Sequence, residues 1–182
     1  MKAAPTAIPG VLRLTPRVFR DDRGFFLESW NRRSLAEAGL DLEFVQDNHS
    51  RSARGTLRGL HYQRPHAQGK LVRVTRGRVF DVAVDLRRSS PAYGRWVGVE
   101  LDDRELEMLW IPPGCAHGFY VLSETADLVY KCTELYSPED EWVLRWDDPE
   151  LGIEWPLIDG RPPVLSPRDR DGRPLAELET FE

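Results

Sequence analysis

Short runs of β-forming residues, each ended by a turn residue, fill most of this 182-residue chain and constrain its fold more than any other feature. The clearest runs are residues 71–75, 79–86, 96–101, 109–111, 119–122, 128–136 and 143–146. Gly77 separates the first two runs and is suited to a tight turn. Many short strands at close spacing favour a β-sandwich or a β-barrel.

Signals for α-helix are scarce. The best candidate covers residues 31–38, where Asn31 could cap the first turn and Gly39 could end the helix. From about Asp147 onwards the chain is rich in Pro, Asp and Gly, which predicts an irregular wrap or a short helical tail. We find no internal repeat and no linker, so we expect one domain over 1–182 with its core at about 10–170.

The charge balance narrows the classes of partner. With 30 acidic and 25 basic residues the net charge is −5, which argues against nucleic-acid binding but allows a local arginine cluster to hold a small anion. No run approaches the ~20 apolar residues needed to cross a bilayer, and the first ten residues lack the apolar stretch of a signal peptide. The two cysteines, Cys115 and Cys132, do not form a disulfide framework. We therefore expect a cytoplasmic protein without membrane contact.

The densest polar cluster combines residues 46–48 with residues 58–63. If His61 lies on a strand, Gln63 shares its face and Tyr62 points the other way. A histidine titrates near neutral pH and is a natural general base. The alternative is a hydrogen-bonded structural histidine, but so many polar side chains in one segment favour a lined pocket.

Two further side chains are candidates for chemistry. Lys70 is one of few lysines in an arginine-rich chain, and an amine changes its pKa readily when buried, although a surface lysine is the simpler interpretation. In the run 128–136, a period of two predicts that one face carries Leu128, Tyr130, Cys132, Glu134 and Tyr136. Tyr130 is then either a barrel-packing residue or a phenol that moves a proton.

The segment 112–117 contains the pattern PxGxxH, in which a Pro-Gly turn delivers His117 to the next strand. This pattern resembles the second motif of cupins, small β-barrels that hold a ligand inside. Metal-binding cupins carry HxH and a later Glu in their first motif. Here the corresponding residues are His61-Tyr62-Gln63, and no suitable Glu follows before Gly77. We therefore predict no functional metal.

Longer motifs resemble the dTDP-4-dehydrorhamnose 3,5-epimerase family. They run in the family's order from about Phe19 to Asp169 and read FRDDRGFFLESW, FVQDNHS, LRGLHYQ, QGKLVRVTRGRVFDVAVDLRRSSPAYGRW, LWIPPGCAHGFYVLS, YKCTELYSPEDE, DDPELGIEWP and LSPRD. The resemblance implies an all-β, cupin-type jelly roll with a few short helices and an irregular C-terminal tail. It also implies a homodimer that works without metal or any other cofactor.

The resemblance implies a role for each matching residue. His61 would be the general base, oriented by Asp169, Tyr130 the acid on the opposite face of the sugar, and Lys70 a neighbour of the ketone oxygen. The implied sugar-nucleotide ligands, some able to act across a dimer interface, are Arg23, Glu28, Gln46, Asn48, Arg58, His117, Glu141 and Arg168. Arg168 stands where many relatives carry lysine, which keeps the charge but changes the geometry.

These roles suit proton transfer beside a ketone, which requires a base, an acid on the other face and groups that stabilise an enolate. The leading hypothesis is epimerisation of dTDP-4-keto-6-deoxy-D-glucose at C3 and C5 to dTDP-4-keto-L-rhamnose. The nearest alternative is an epimerase that inverts C3 alone. Two other classes are a metal-dependent cupin enzyme and a cupin that only binds a sugar nucleotide.

Overall fold

Thirteen short strands form the framework, and the computed structural model describes them with every other residue of the chain, 1–182. The strands are β1 (Lys2–Pro5), β2 (Leu12–Thr15), β3 (Val18–Asp21), β4 (Gly24–Leu27), β5 (Gln46–Ala53), β6 (Leu57–Gln63), β7 (Lys70–Arg76), β8 (Arg78–Asp85), β9 (Trp96–Asp102), β10 (Met108–Ile111), β11 (Cys115–Val121), β12 (Thr125–Cys132) and β13 (Glu141–Val143). The helices are α1 (Arg32–Glu37), α2 (Pro167–Arg170) and two 3-10 turns, Ile158–Gly160 and Leu175–Glu177. No helix is both long and apolar enough to cross a membrane.

Two antiparallel sheets face each other. The first has six strands in the order β1-β2-β10-β7-β12-β5, and the second has five in the order β13-β6-β11-β8-β9. The strands β3 and β4 form a separate hairpin. The predicted all-β, two-layer architecture is confirmed, and so is the short helical tail after Asp147.

The main core lies between the two sheets, where alternate apolar side chains of both sheets meet. Its centre includes Val72 and Leu128 from the six-stranded sheet and Val79 and Phe119 from the five-stranded sheet. This core fills only part of the space between the sheets, because the remaining inward positions carry polar side chains. Those polar positions form the candidate site.

The outer face of each sheet is covered by a different segment. The tail packs Leu175 and Leu178 against Leu60 and Tyr62 of the five-stranded sheet. This packing brings α2 and its Asp169 to the edge of β6, which matters for the site. On the six-stranded sheet, α1 buries Leu35 together with residues of β2, β7 and β10.

The helix α1 follows the sequence signals closely. The side chain of Asn31 accepts a hydrogen bond from the backbone N–H of Ser34 at 3.2 Å, as an N-cap does. Gly39 follows with φ of 91°, a conformation that glycine adopts without strain. The predicted helix is therefore confirmed, shortened to Arg32–Glu37.

One sequence prediction about a strand was wrong, and five strands were missed. The run 128–136 does not stay extended, because β12 ends at Cys132 and its partners on both sides end there, at Gln46 and Lys70. Glu134 and Tyr136 therefore leave the strand. The five strands before residue 54 were not predicted at all. In β5, for example, the residues on both faces of the strand are polar, so the usual alternation of polar and apolar residues is missing.

Candidate active site

A polar cavity of about 240 Å³ opens at one end of the space between the sheets. Its lining includes Gln46, Asn48, His61, Gln63, Gln68, Lys70, Tyr130, Tyr136 and Glu141. His61 comes from β6 of one sheet, whereas Lys70 and Tyr130 come from β7 and β12 of the other. Three residue types suited to proton transfer therefore meet in one cavity from distant parts of the sequence.

His61 is held by a carboxylate from the tail. Its Nε2 lies 2.6 Å from Oδ1 of Asp169, which is buried at the first turn of α2. The same carboxylate accepts a hydrogen bond from Ser166 Oγ at 2.7 Å and one from the backbone N–H of Gly59 at 3.2 Å. Burial raises the pKa of Asp169, but the hydrogen bonds with His61 and Ser166 outweigh it, so the net pKa is below its ordinary value. Asp169 thus stays ionised and fixes the ring of His61, leaving Nδ1 for the cavity.

Gly59, whose backbone N–H bonds Asp169, lies tightly against β11. Its φ is 109°, and a Cβ built there would lie 2.6 Å from the carbonyl oxygen of His117. Only glycine fits this position, because any side chain would meet the backbone of β11 and would strain φ. At this position the backbone of β6 donates a hydrogen bond to the carboxylate that holds His61.

Lys70 is a buried amine beside the histidine. Its Nζ makes one hydrogen bond within the protein, to the carbonyl oxygen of His61 at 3.4 Å. Burial lowers the pKa of Lys70, and the nearby Cys132, Glu141 and Asp81 oppose that shift. An ammonium with so few partners has donors left for an oxygen of a bound molecule.

Tyr130 faces the histidine from the opposite sheet. Burial raises its pKa to about 12, although Arg58 acts in the lowering direction, so the phenol is protonated at neutral pH. Its hydroxyl accepts and donates no hydrogen bond within the protein. The phenolic proton is therefore available to a ligand in the cavity.

Several of the residues implied as sugar-nucleotide ligands lie around this cavity. Gln46 and Asn48 project from β5 and are hydrogen-bonded to each other at 3.0 Å. Glu141 accepts a hydrogen bond from the Tyr136 hydroxyl at 2.9 Å and pairs with Arg168. Arg58 is anchored through its Nε to Ser52 Oγ at 2.9 Å.

Three of the implied ligands lie elsewhere in this chain. Arg23 projects from the β3–β4 hairpin with its side chain 90% exposed and pairs with its neighbour Asp21. Glu28 accepts hydrogen bonds from the first turn of α1. His117 is buried, with its Nε2 3.0 Å from each carboxylate oxygen of Asp81, and does not line the cavity.

Sequence reasoning missed some residues of the site. Gln68 lines the cavity from the loop after β6, where strand periodicity gives no signal. Tyr136 was placed on one strand face with Tyr130 but not assigned to the site, and it reaches the cavity from the loop after β12. Asp81 was also missed, although a lone acid inside the apolar run of β8 indicates a buried partner. No group of three or more His, Cys, Asp or Glu side chains is arranged to hold a metal ion.

Comparison with known proteins gives a single family. Residues 5–177 match the family model described as dTDP-4-dehydrorhamnose 3,5-epimerase. A protein of that name from Pseudomonas aeruginosa is 58% identical over 182 residues, which is 100% of this chain and 99% of the relative.

Solved structures agree with the sequence comparison. An epimerase of Legionella pneumophila, crystallised with dTDP-4-keto-L-rhamnose, is 48% identical with a TM-score of 0.93 and matches 98% of this chain and 94% of its own. A 3'-monoepimerase of Streptomyces bikiniensis, in complex with dTDP-quinovose, is 37% identical with a TM-score of 0.88. The match covers 97% of this chain and 88% of the monoepimerase chain. The cupin-like fold predicted from the sequence is confirmed by these neighbours. The chain belongs to the dTDP-4-dehydrorhamnose 3,5-epimerase family.

Proposed function

We propose that this epimerase inverts C3 and C5 of dTDP-4-dehydro-6-deoxy-D-glucose with His61 as the base and Tyr130 as the acid, giving dTDP-4-dehydro-L-rhamnose. The observation that carries the assignment is that His61, bound to Asp169 at 2.6 Å, and Tyr130 come from opposite sheets into one cavity. A sugar bound between them would present one face to each. That arrangement supports inversion, since removal and return of a proton on different faces change the configuration of the carbon.

The chemistry follows from these positions. C3 and C5 both flank the C4 ketone, so a proton at either carbon is acidic enough for removal by an imidazole. His61 takes that proton on Nδ1, the C–H electron pair moves into an enolate, and the Asp169 carboxylate stabilises the imidazolium. Lys70 stabilises the developing oxyanion with its free N–H bonds. Tyr130 then delivers its proton to the opposite face, the enolate collapses to the ketone, the His61 imidazolium releases the abstracted proton to solvent, and solvent reprotonates the phenolate.

Substrate binding involves the groups around the cavity mouth. Gln46, Asn48 and Glu141 offer amide and carboxylate groups to the sugar hydroxyls. Arg58 and Arg168 offer guanidinium groups, which bind diphosphate oxygens well. The cavity is small and polar, so we assign it to the sugar and place the nucleotide at its mouth.

We also propose that the protein works as a homodimer in the cytoplasm. The hairpin that carries Arg23 exposes Phe19, Phe25 and Phe26, of which Phe26 is 69% exposed. An apolar, arginine-bearing hairpin away from the chain's own cavity suits a site shared between two subunits. The two buried free thiols, Cys115 and Cys132, suit a reducing compartment.

A coupled assay tests the proposed function. The protein is incubated with dTDP-4-keto-6-deoxy-D-glucose, NADPH and a rhamnose-forming reductase, and dTDP-L-rhamnose is quantified. We expect wild-type turnover, and His61→Gln should lower it by about 10²- to 10⁴-fold, the usual contribution of a general base. The matched control His49→Gln, at an exposed histidine on the outer side of β5, should retain activity. Product formation by His61→Gln within threefold of wild type would remove His61 as the base.

A further inference from the structure

A buried glutamine lies where the wall of the cavity meets two loops at its opening. Gln63 is the last residue of β6 and is only 3% exposed. The chain continues from it into a loop of residues 64–69, and a second loop, residues 133–140, joins β12 to β13. Both loops line the cavity, the first through Gln68 and the second through the half-exposed Tyr136. We refer to these two segments as the mouth loops.

The side-chain amide of Gln63 fastens one mouth loop to the other. Its Nε2 donates hydrogen bonds to the carbonyl oxygen of His66 at 2.9 Å and to that of Leu135 at 3.1 Å. Its Oε1 accepts a hydrogen bond from the backbone N–H of Ser137 at 3.0 Å. Both amide N–H bonds are thus used inside the protein, so Gln63 borders the cavity without a free donor for a ligand. Its bonds instead fix the backbone on each side of Tyr136.

The middle of the second mouth loop has one other side-chain anchor. The backbone N–H of Tyr136 donates to Oε1 of Gln46 at 2.8 Å. Of the two glutamines, only Gln63 also bonds the first mouth loop. With its backbone held in this way, Tyr136 keeps its hydroxyl on Glu141 at 2.9 Å, so the same anchor reaches a carboxylate that lines the cavity. Gln63 therefore controls the arrangement of the opening although its own amide is fully occupied.

We propose that Gln63 is a positioning residue that fastens the mouth loops and so keeps the sugar nucleotide bound between the first and the second inversion. This inference rests on the proposed function. Two inversions in one binding event require that the singly inverted intermediate reacts again before it dissociates. Loops fixed around the opening slow that dissociation, because the ligand leaves when they move apart. Loops that are already ordered also cost less conformational entropy when the ligand binds.

The variant Gln63→Met tests the role, because it removes the amide and nearly preserves the size of the side chain. We expect the Kd for dTDP and the KM to rise about tenfold, since the binding-competent arrangement of the loops is then populated only part of the time. At saturating substrate in D2O, the initial rate of deuterium incorporation should stay within about threefold of wild type, because His61 and Asp169 are untouched. Among the molecules released early, the fraction with deuterium at one carbon only should rise at least about threefold.

His66→Gln is the matched control. The imidazole of His66 also joins the mouth loops, with its Nδ1 2.6 Å from Oδ2 of Asp140, but this pair is on the surface and does not line the cavity. An exposed ion pair contributes little, and the carbonyl oxygen that Gln63 bonds remains in this variant. Its Kd for dTDP and its one-carbon fraction should therefore match those of wild type.

An unchanged one-carbon fraction in Gln63→Met would overturn the inference, whatever the Tm of that variant. A slower exchange rate with an unchanged Kd would also overturn it, because Gln63 would then support the base. If Gln63→Met does not fold, hydrogen exchange of the wild-type amides decides: the Ser137 N–H should be protected at least about a hundredfold relative to an unfolded chain, and unprotected exchange would overturn the inference. A wild type that exchanges no carbon-bound proton contradicts the proposed function, whereas an active wild type with an indistinguishable Gln63→Met overturns this inference alone.

Discussion

Replacing Asp169 by asparagine is the sharpest perturbation of the proposed base. The carboxylate of Asp169 holds His61 Nε2 at 2.6 Å and is itself held by Ser166 and Gly59. An asparagine fits the same space but loses the negative charge. If its amide nitrogen faces the ring, it donates to Nε2 and places the imidazole proton on Nδ1, the nitrogen that must accept the substrate proton.

The expected loss can be estimated from these contacts. A hydrogen bond to a charged group contributes about 1.5–3 kcal/mol, which corresponds to about 10- to 150-fold in rate if it is lost in the transition state. The wrong tautomer adds a further penalty, so we expect Asp169→Asn to lower kcat by about 10²- to 10⁴-fold. The Kd for dTDP should change by less than about threefold, because the nucleotide does not contact this residue in our assignment.

The assay is the initial rate of deuterium incorporation at C3 and C5 in D2O, which reports proton removal directly. Ser166→Ala is the matched control, since it removes one hydrogen bond from the carboxylate at 2.7 Å but keeps the charge. We expect that variant to lose less than about tenfold, because the charge of Asp169 and its bond to His61 both remain and the lost hydrogen bond does not touch the imidazole. An exchange rate in Asp169→Asn within threefold of wild type would refute the dyad.

Three further predictions address the acid, the charge network and the fold. In Tyr130→Phe the rate of inversion should fall at least about tenfold more than the rate of deuterium incorporation, both followed by NMR, because the base is untouched. An equal fall in both rates would show that Tyr130 is not a separable acid. Burial raises the pKa of Asp85, but the hydrogen bonds from Arg87 outweigh burial and hold that pKa below its ordinary value of 3.8. The ionised Asp85 therefore stabilises the fold fully above pH 3.8, and this stabilisation is lost as the pH falls through the lower pKa of the folded state. Asp85→Asn should therefore cost about 2 kcal/mol at pH 7 and narrow the difference in Tm between pH 7 and pH 3, and an unchanged difference would contradict this. Gly77→Ala should cost at least about 2 kcal/mol in urea unfolding, because φ is +79° and a Cβ would lie 2.1 Å from the Thr125 carbonyl oxygen; a loss under 0.5 kcal/mol (roughly the noise of a surface change) would refute it.

The sequence was most informative where one face of a strand is polar and the other apolar. On β6 the alternation placed His61 and Gln63 toward one side and Tyr62 toward the other. The structure agrees in that the Tyr62 side chain packs with the tail and its hydroxyl donates to the carbonyl oxygen of Glu179, although Tyr62 also lies at the wall of the cavity. The same rule failed on β5, because its inward residues Gln46 and Asn48 line a cavity and are polar. A strand that forms part of a polar site lacks the hydrophobic period that identifies strands.

Long-range contacts were beyond the reach of local patterns. Nothing in the sequence around His117 reveals Asp81 as its partner, since the two residues meet only through the pairing of β8 with β11. Resemblance to the family placed Arg23 and Glu28 at the substrate, yet in this chain both lie away from the cavity. In the proposed homodimer these residues would act in the second subunit, and a residue of that kind carries no mark of its role in its own segment.

The central claim is that one base and one acid serve both carbons beside the ketone. Proton NMR of dTDP-4-keto-6-deoxy-D-glucose incubated with the protein in D2O, with a rhamnose-forming reductase to trap the product, tests it most directly. We predict deuterium at both C3 and C5 of the trapped dTDP-L-rhamnose. Deuterium at C3 alone with no rhamnose, or no exchange at either carbon, would contradict the claim.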